Sequence, residues 1–313
     1  METTFETSCR TRIKTDWRLE FGDWMQRKGW SRLTIRSYEQ NLRIFMRWYA
    51  QENRQEFAPE FLTSWDMAAF RRFTLEVERA KPATWNNRLS ALSALQAWCN
   101  HEGLINSRPL DGIGSARSEA MAPRWLDQSD FGQLMRRIER DRNSANTQQR
   151  RDRAVRDGAL IALMVFAGLR VSEVIALRTQ DVTIGERSGK VRVHLGKGEK
   201  YREVPLAKEA RQALGDWLAL TELKPESLVF HGITQRAVQK RIAALRREAG
   251  LTELTPHRLR HTCAKRMLDA GRPITEVQKI LGHANLNTTA RYLTPGWEDL
   301  QAAVDSVALG KRS

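Results

Sequence analysis

The chain has 313 residues, enough for two ordinary domains that each bury a core without a disulfide or metal staple. It carries 52 lysines and arginines against 37 acids, a net charge of +15, and arginine far outnumbers lysine, so polyanions attract it at long range and planar forks are at hand for phosphate. Three widely separated cysteines (Cys9, Cys99, Cys263) without ligand spacing, and no apolar run near about 18 residues, exclude a disulfide scaffold, a zinc finger and a membrane span, leaving a protein of the reducing cytoplasm as the expectation.

Residues 1–106 read as a helical domain. Ser31 caps a helix whose stripe is Ile35, Tyr38, Leu42, Phe45, Met46 and Tyr49, with Arg36, Arg43 and Arg47 off it. Ser64 caps a third helix through Phe70, Phe73 and Val77. Pro82 opens a fourth that runs through Leu89, Leu92, Leu95 and Trp98 to Gly103, for four or five helices in all. On this domain Arg32, Arg36, Arg43, Arg47, Asn86, Asn87 and Arg88 are candidates to face DNA, the arginines on phosphates and the asparagines on phosphates or base edges. Solvated helix faces carry the same residues.

Residues 107–124 gather Pro109, Gly112, Gly114 and Pro123 with little apolar periodicity, which marks an exposed linker. In 125–313 a helix is expected over Asp127 to Arg140, then a charged stretch to Arg156. An apolar helix from Gly158 to Ala167 should turn at Gly168 to present Arg170, with a short helix from Ser172. Lys190 to Leu195 alternates and, through Gly196 to Lys200, returns along Tyr201 to Leu206 as a two-stranded hairpin. Helices are expected at 207–221, 234–248, 256–270 and 274–282, a short one around Tyr292 and an amphipathic one at 297–308. The fold class is mainly α, with a helical first domain and an α-rich second domain carrying a small antiparallel sheet.

Chemistry concentrates in four segments: 167–173 with Arg170, 196–202 with Lys197, 257–262 with His257 and Arg260, and 281–292 with His283 and Tyr292. A phosphodiester is shielded by its own charge, so an enzyme that cleaves it without metal must neutralise the nonbridging oxygens and protonate the leaving oxygen. Arg170 and Arg260 suit the first task, with His257 and His283 adding hydrogen bonds; His257 and Arg260, three apart on a helix, share a face. Read singly, Arg170 caps carbonyls at a helix end, Arg260 is a surface cation and His257 a structural imidazole. Their co-occurrence points instead to a phosphate site. Glu173 reads as a carboxylate bracing Arg170 or His257, and His261, one residue out of phase, as structural. An ammonium in the hairpin turn can protonate a departing 5′ oxygen; Lys197 is the candidate, with Lys200 and Arg202 as rivals otherwise assigned to the DNA backbone. Tyr292 is the candidate nucleophile, in preference to Tyr38, Tyr49 and Tyr201, which lack the preceding Leu281-Gly282-His283.

In type, order and spacing these segments resemble the tyrosine recombinases, the phage-integrase and Xer-like family; the likeness is looser in residues 1–106. The resemblance implies a core-DNA-binding domain and a catalytic domain closing on duplex DNA, and a 3′-phosphotyrosyl intermediate that exchanges strands at specific core sites without metal, cofactor or ATP. It further implies a homotetramer, with accessory proteins for directionality, and a tail docked on a neighbouring protomer. Two alternatives stay open: a non-cleaving architectural DNA-binding protein on the same scaffold, and a type IB topoisomerase-like enzyme. The interval from Lys197 to His257 looks short beside Xer-like members, and an arm-binding domain is not expected ahead of the first helix.

Overall fold

Aromatic side chains build the first of two units, which divide between residues 120 and 121 in this computed structural model. The structure describes residues 16–117, 125–194 and 201–282. Four α-helices are described in the first unit: α1 (Trp17–Arg27), α2 (Arg32–Asn53), α3 (Ser64–Arg72) and α4 (Pro82–His101). Side-chain oxygens of Asp16, Ser31 and Thr63 accept amide hydrogens at the starts of α1, α2 and α3, and Pro82 opens α4. The cap of α3 is thus Thr63, one residue before the expected Ser64. Past Arg72 the chain winds one turn of π-helix, Phe73–Val77. Phe45, Phe70, Trp85 and Trp98 are fully enclosed between these helices, with Phe45 and Phe70 edge to face at 5.1 Å.

The segment read as exposed linker begins with a packed stretch. Leu110, Ile113 and Ala116 lie against the first core. The Trp85 indole donates to Gly114 O at 3.1 Å, and the Asn86 amide donates to Ala116 O at 3.1 Å and accepts from Ala116 N at 2.8 Å. Small and turn-forming residues hid this, because the pairing is made through their backbone groups.

The second unit has an aliphatic core around α6 (Gln148–Phe166), whose residues from Ala159 to Val165 are all buried. Helices α5 (Gln128–Asn143), α8 (Lys208–Ala219) and α10 (Pro256–Asp269) pack on it, and α7 (Val171–Ala176), α9 (Gln235–Glu248) and α11 (Ile274–Leu281) complete the described helices. The expected break between a charged stretch and an apolar helix is absent: Thr147 caps a single helix with a solvated first half and an enclosed second half. The hairpin is part of a three-stranded antiparallel sheet in the order β1 (Val182–Ile184), β2 (Gly189–His194), β3 (Tyr201–Pro205). Three residues are too few for alternation to announce β1. No helix among the described residues is long and apolar enough to cross a membrane. The expected helices around Tyr292 and at 297–308 lie outside the described residues.

Candidate active site

Gly168 makes the turn that delivers Arg170. Its φ is +66°, and a Cβ there would lie 2.6 Å from Leu281 Cδ2, so both conformation and space demand glycine. Arg170 stands just before α7, and its backbone N–H donates to Glu173 Oε2 at 2.8 Å. The Arg170 side chain, 36% exposed, donates through Nη1 to Glu173 Oε1 at 2.8 Å and through Nη2 to Gly282 O at 3.4 Å.

His257 and Arg260 come from the first two turns of α10, at whose start Thr255 accepts from Arg258 N–H and Pro256 takes a position that needs no amide hydrogen. His257 is exposed. Arg260 is buried; its terminal nitrogens donate to Gly168 O and Leu281 O, and Nη1 lies 3.8 Å from Glu173 Oε2. The guanidinium therefore joins the Arg170 turn to the end of α11. Arg170, His257 and Arg260 line one cleft, with Ser172, Gln239 and Thr255 on its other walls.

Glu173 is the hub of this arrangement. Besides Arg170 it takes both terminal nitrogens of Arg202, at 3.0 and 2.9 Å. Burial pushes its carboxyl up, but the hydrogen bonds from Arg202 and the Arg170 amide and the Arg202 charge outweigh this, and it titrates below the usual carboxylate range. It is thus a carboxylate at neutral pH, and three guanidinium groups around one such charge leave the cluster positive. Such an excess of fixed positive charge in a partly dry cleft can hold a phosphodiester and stabilise charge as it develops.

Three of the six residues expected to act on the phosphate, Arg170, His257 and Arg260, are brought together from segments about 90 residues apart. Lys197, His283 and Tyr292 lie outside the described residues, as does Lys200. Arg32, Arg36, Arg43 and Arg47 are exposed on α2, and Asn87 on α4. Three expected DNA contacts are otherwise engaged. The Asn86 amide is paired with Ala116. Arg88 is 3% exposed and pairs with Glu78 and with Thr74 Oγ1 at 2.9 Å. Its place three residues after Trp85 and four before Leu92 puts it on the inner stripe, a signal that its charge masked. Arg202, at 9% side-chain exposure, faces inward because alternation sets it with Val204 and Leu206, and in the ladder it is opposite buried Val193. Its support of Glu173 escaped the sequence reading, although that alternation was there to be counted.

Residues 124–296 match the Phage integrase family, and residues 21–103 match the phage integrase N-terminal SAM-like domain. The chain is 30% identical over 292 residues to the tyrosine recombinase XerC of Vibrio cholerae, spanning 89% of this chain and 87% of that protein. It is 33% identical over 284 residues to XerC of Chromohalobacter salexigens, spanning 87% and 89% respectively. Among solved structures, the XerH site-specific recombinase bound to palindromic difH substrate, a post-cleavage complex, shares the fold at a TM-score of 0.71. That likeness has 22% identity and spans 95% of this chain and 91% of that one.

Proposed function

Because the chain belongs to the phage integrase family, we propose that it is a site-specific recombinase that cuts and rejoins DNA through Tyr292. The observation that carries this reading is the meeting of Arg170, His257 and Arg260 on one cleft, with the two arginines sharing the Glu173 carboxylate. The Tyr292 phenolic oxygen attacks phosphorus, the P–O bond to the 5′ oxygen breaks, and the product is a 3′-phosphotyrosyl ester with a free 5′ hydroxyl. Arg170 and Arg260 offset the charge that gathers on the nonbridging oxygens, with His257 and His283 as further donors. Lys197 supplies the proton that the departing 5′ oxygen takes up. The ester keeps the bond energy, so the 5′ hydroxyl of another strand can attack it and release Tyr292 without ATP.

The partner is duplex DNA with specific core sites, bound by a homotetramer across two paired sites, with accessory proteins setting direction. The fold likeness to recombinases solved on their substrates supports a DNA partner. A duplex nicked beside the cleavage site lets the short strand diffuse away and traps the ester. On such a duplex the protein should become attached to the 3′ side of the break. Tyr292→Phe should bind the same duplex with unchanged affinity and form no adduct. An adduct that persists in this variant places the nucleophile elsewhere, and no adduct from the unaltered chain on its cognate site returns the reading to an architectural protein.

A further inference from the structure

Three guanidinium groups share one carboxylate at the site, and they are not equivalent. The side chain of Arg170 is 36% exposed, whereas those of Arg202 and Arg260 are 9% and 4% exposed. Arg202 meets Glu173 with both terminal nitrogens, while Arg170 places one there and directs the other at Gly282 O. A half-buried carboxylate that loses such a forked partner keeps its charge and draws harder on the cations that remain. The nearest of these is Arg170.

We infer that Arg202 is a positioning residue for the proposed strand cleavage: by occupying Glu173 from the buried side, it leaves the charge of Arg170 available to the scissile phosphate. The inference rests on reading the cleft as a phosphodiester clamp. A second tie strengthens it. Arg202 Nε donates to Ile280 O at 3.0 Å, and its Cζ stands 2.9 Å from where a Cβ on Gly282 would be, which only glycine at φ +65° leaves open. The same side chain therefore fixes the end of α11 whose Gly282 carbonyl faces Arg170. Strand alternation holds Arg202 on the inner face of β3, so the fork arrives from a rigid element.

The role predicts a chemical signature. Replacing one nonbridging oxygen of the scissile phosphate by methyl removes the negative charge that Arg170 must offset, and with it the need for a fully available Arg170. Single-turnover scission of a nicked duplex should slow about 10- to 100-fold in Arg202→Met on the ordinary phosphodiester. DNA affinity should stay within about threefold, and the deficit should shrink to about threefold or less on the methylphosphonate duplex. An equal deficit on both duplexes, or none on either, overturns the inference.

If Arg202→Met does not fold, Glu173→Gln/Arg202→Met removes the carboxylate together with its partner and is compared with Glu173→Gln alone. With no carboxylate to occupy, Arg202 keeps its tie to Ile280 O but no longer has a charge to withhold from Arg170, and the two variants should cleave within about threefold of each other. A further loss of about tenfold or more in the double variant overturns the inference. Failure of the cleavage reading itself is seen separately, as absence of scission by the unaltered chain.

Discussion

At the scale of single residues, the site shows how closely neighbouring side chains can differ in task. Arg260 and His261 are adjacent on α10, yet one is a buried cation fixed on two carbonyls and the other a half-buried imidazole, 6.4 Å from the His257 ring. Burial lowers the His261 pKa to about 4, with the charges of His257 and Arg260 acting in the same direction. In the unfolded chain histidine titrates near about 6.5. Between these values the unfolded state binds a proton that the folded state refuses, so stability is lost as pH falls through this window. His261→Gln should therefore flatten the fall in urea midpoint between pH 7 and pH 5, with the rest of the curve kept. An unchanged pH dependence in the variant refutes this source of acid sensitivity.

At the scale of elements, salt bridges in the second unit tie together helices that already share its core. Arg241 on α9 donates to Asp157 on α6 at 2.7 Å and to Asp141 on α5 at 2.6 Å, and within its own helix to Glu248 at 3.1 Å. The Asp157 side chain is 9% exposed, and Arg241→Met leaves it with Arg156 as its remaining guanidinium partner while Asp141 keeps Arg137, so the tie between the helices is lost without isolating either charge. A loss of about 1 to 2 kcal/mol is expected in urea unfolding, and a change under about 0.5 kcal/mol would show that Arg156, Arg137 and water replace the guanidinium without penalty. Arg241 gave no sign of this in the sequence, since its partners lie 84 and 100 positions away. Helices were legible wherever an apolar stripe and a cap coincided, as at α2, α9 and α10. They were misread where burial changes along one helix, as in α6, and a strand as short as β1 left no pattern. The candidate site was legible through chemistry of rare types at fixed spacing, His257 with Arg260 above all. What stayed hidden were the polar residues on inner faces: Arg88 and Arg202 carry the charge typical of a surface residue at positions whose periodicity points inward.

At the scale of the whole chain, the excess of 15 positive charges has to be divided between cations committed to the fold and cations left for a polyanion. Arg88, Arg202, Arg241 and Arg260 belong to the first class by their pairing. Arg32, Arg36, Arg43 and Arg47 are exposed, and their spacing of four, seven and four places them on one side of α2, away from Ile35, Leu42 and Phe45. Cations of this second class release counterions when they meet phosphates, and each such contact steepens the fall of log affinity with log salt by about 0.9. If this side of α2 follows a DNA backbone, Arg36→Gln/Arg43→Gln should weaken binding to cognate and unrelated duplexes alike and reduce the salt slope by about two. Arg88→Gln should instead lower stability, because it leaves Glu78 and Thr74 without their partner, and it should leave the slope in place. Fluorescence anisotropy titrations from 50 to 200 mM salt separate these outcomes. An unchanged slope in the α2 double variant assigns those arginines to solvent and moves the DNA-facing surface of the first unit elsewhere.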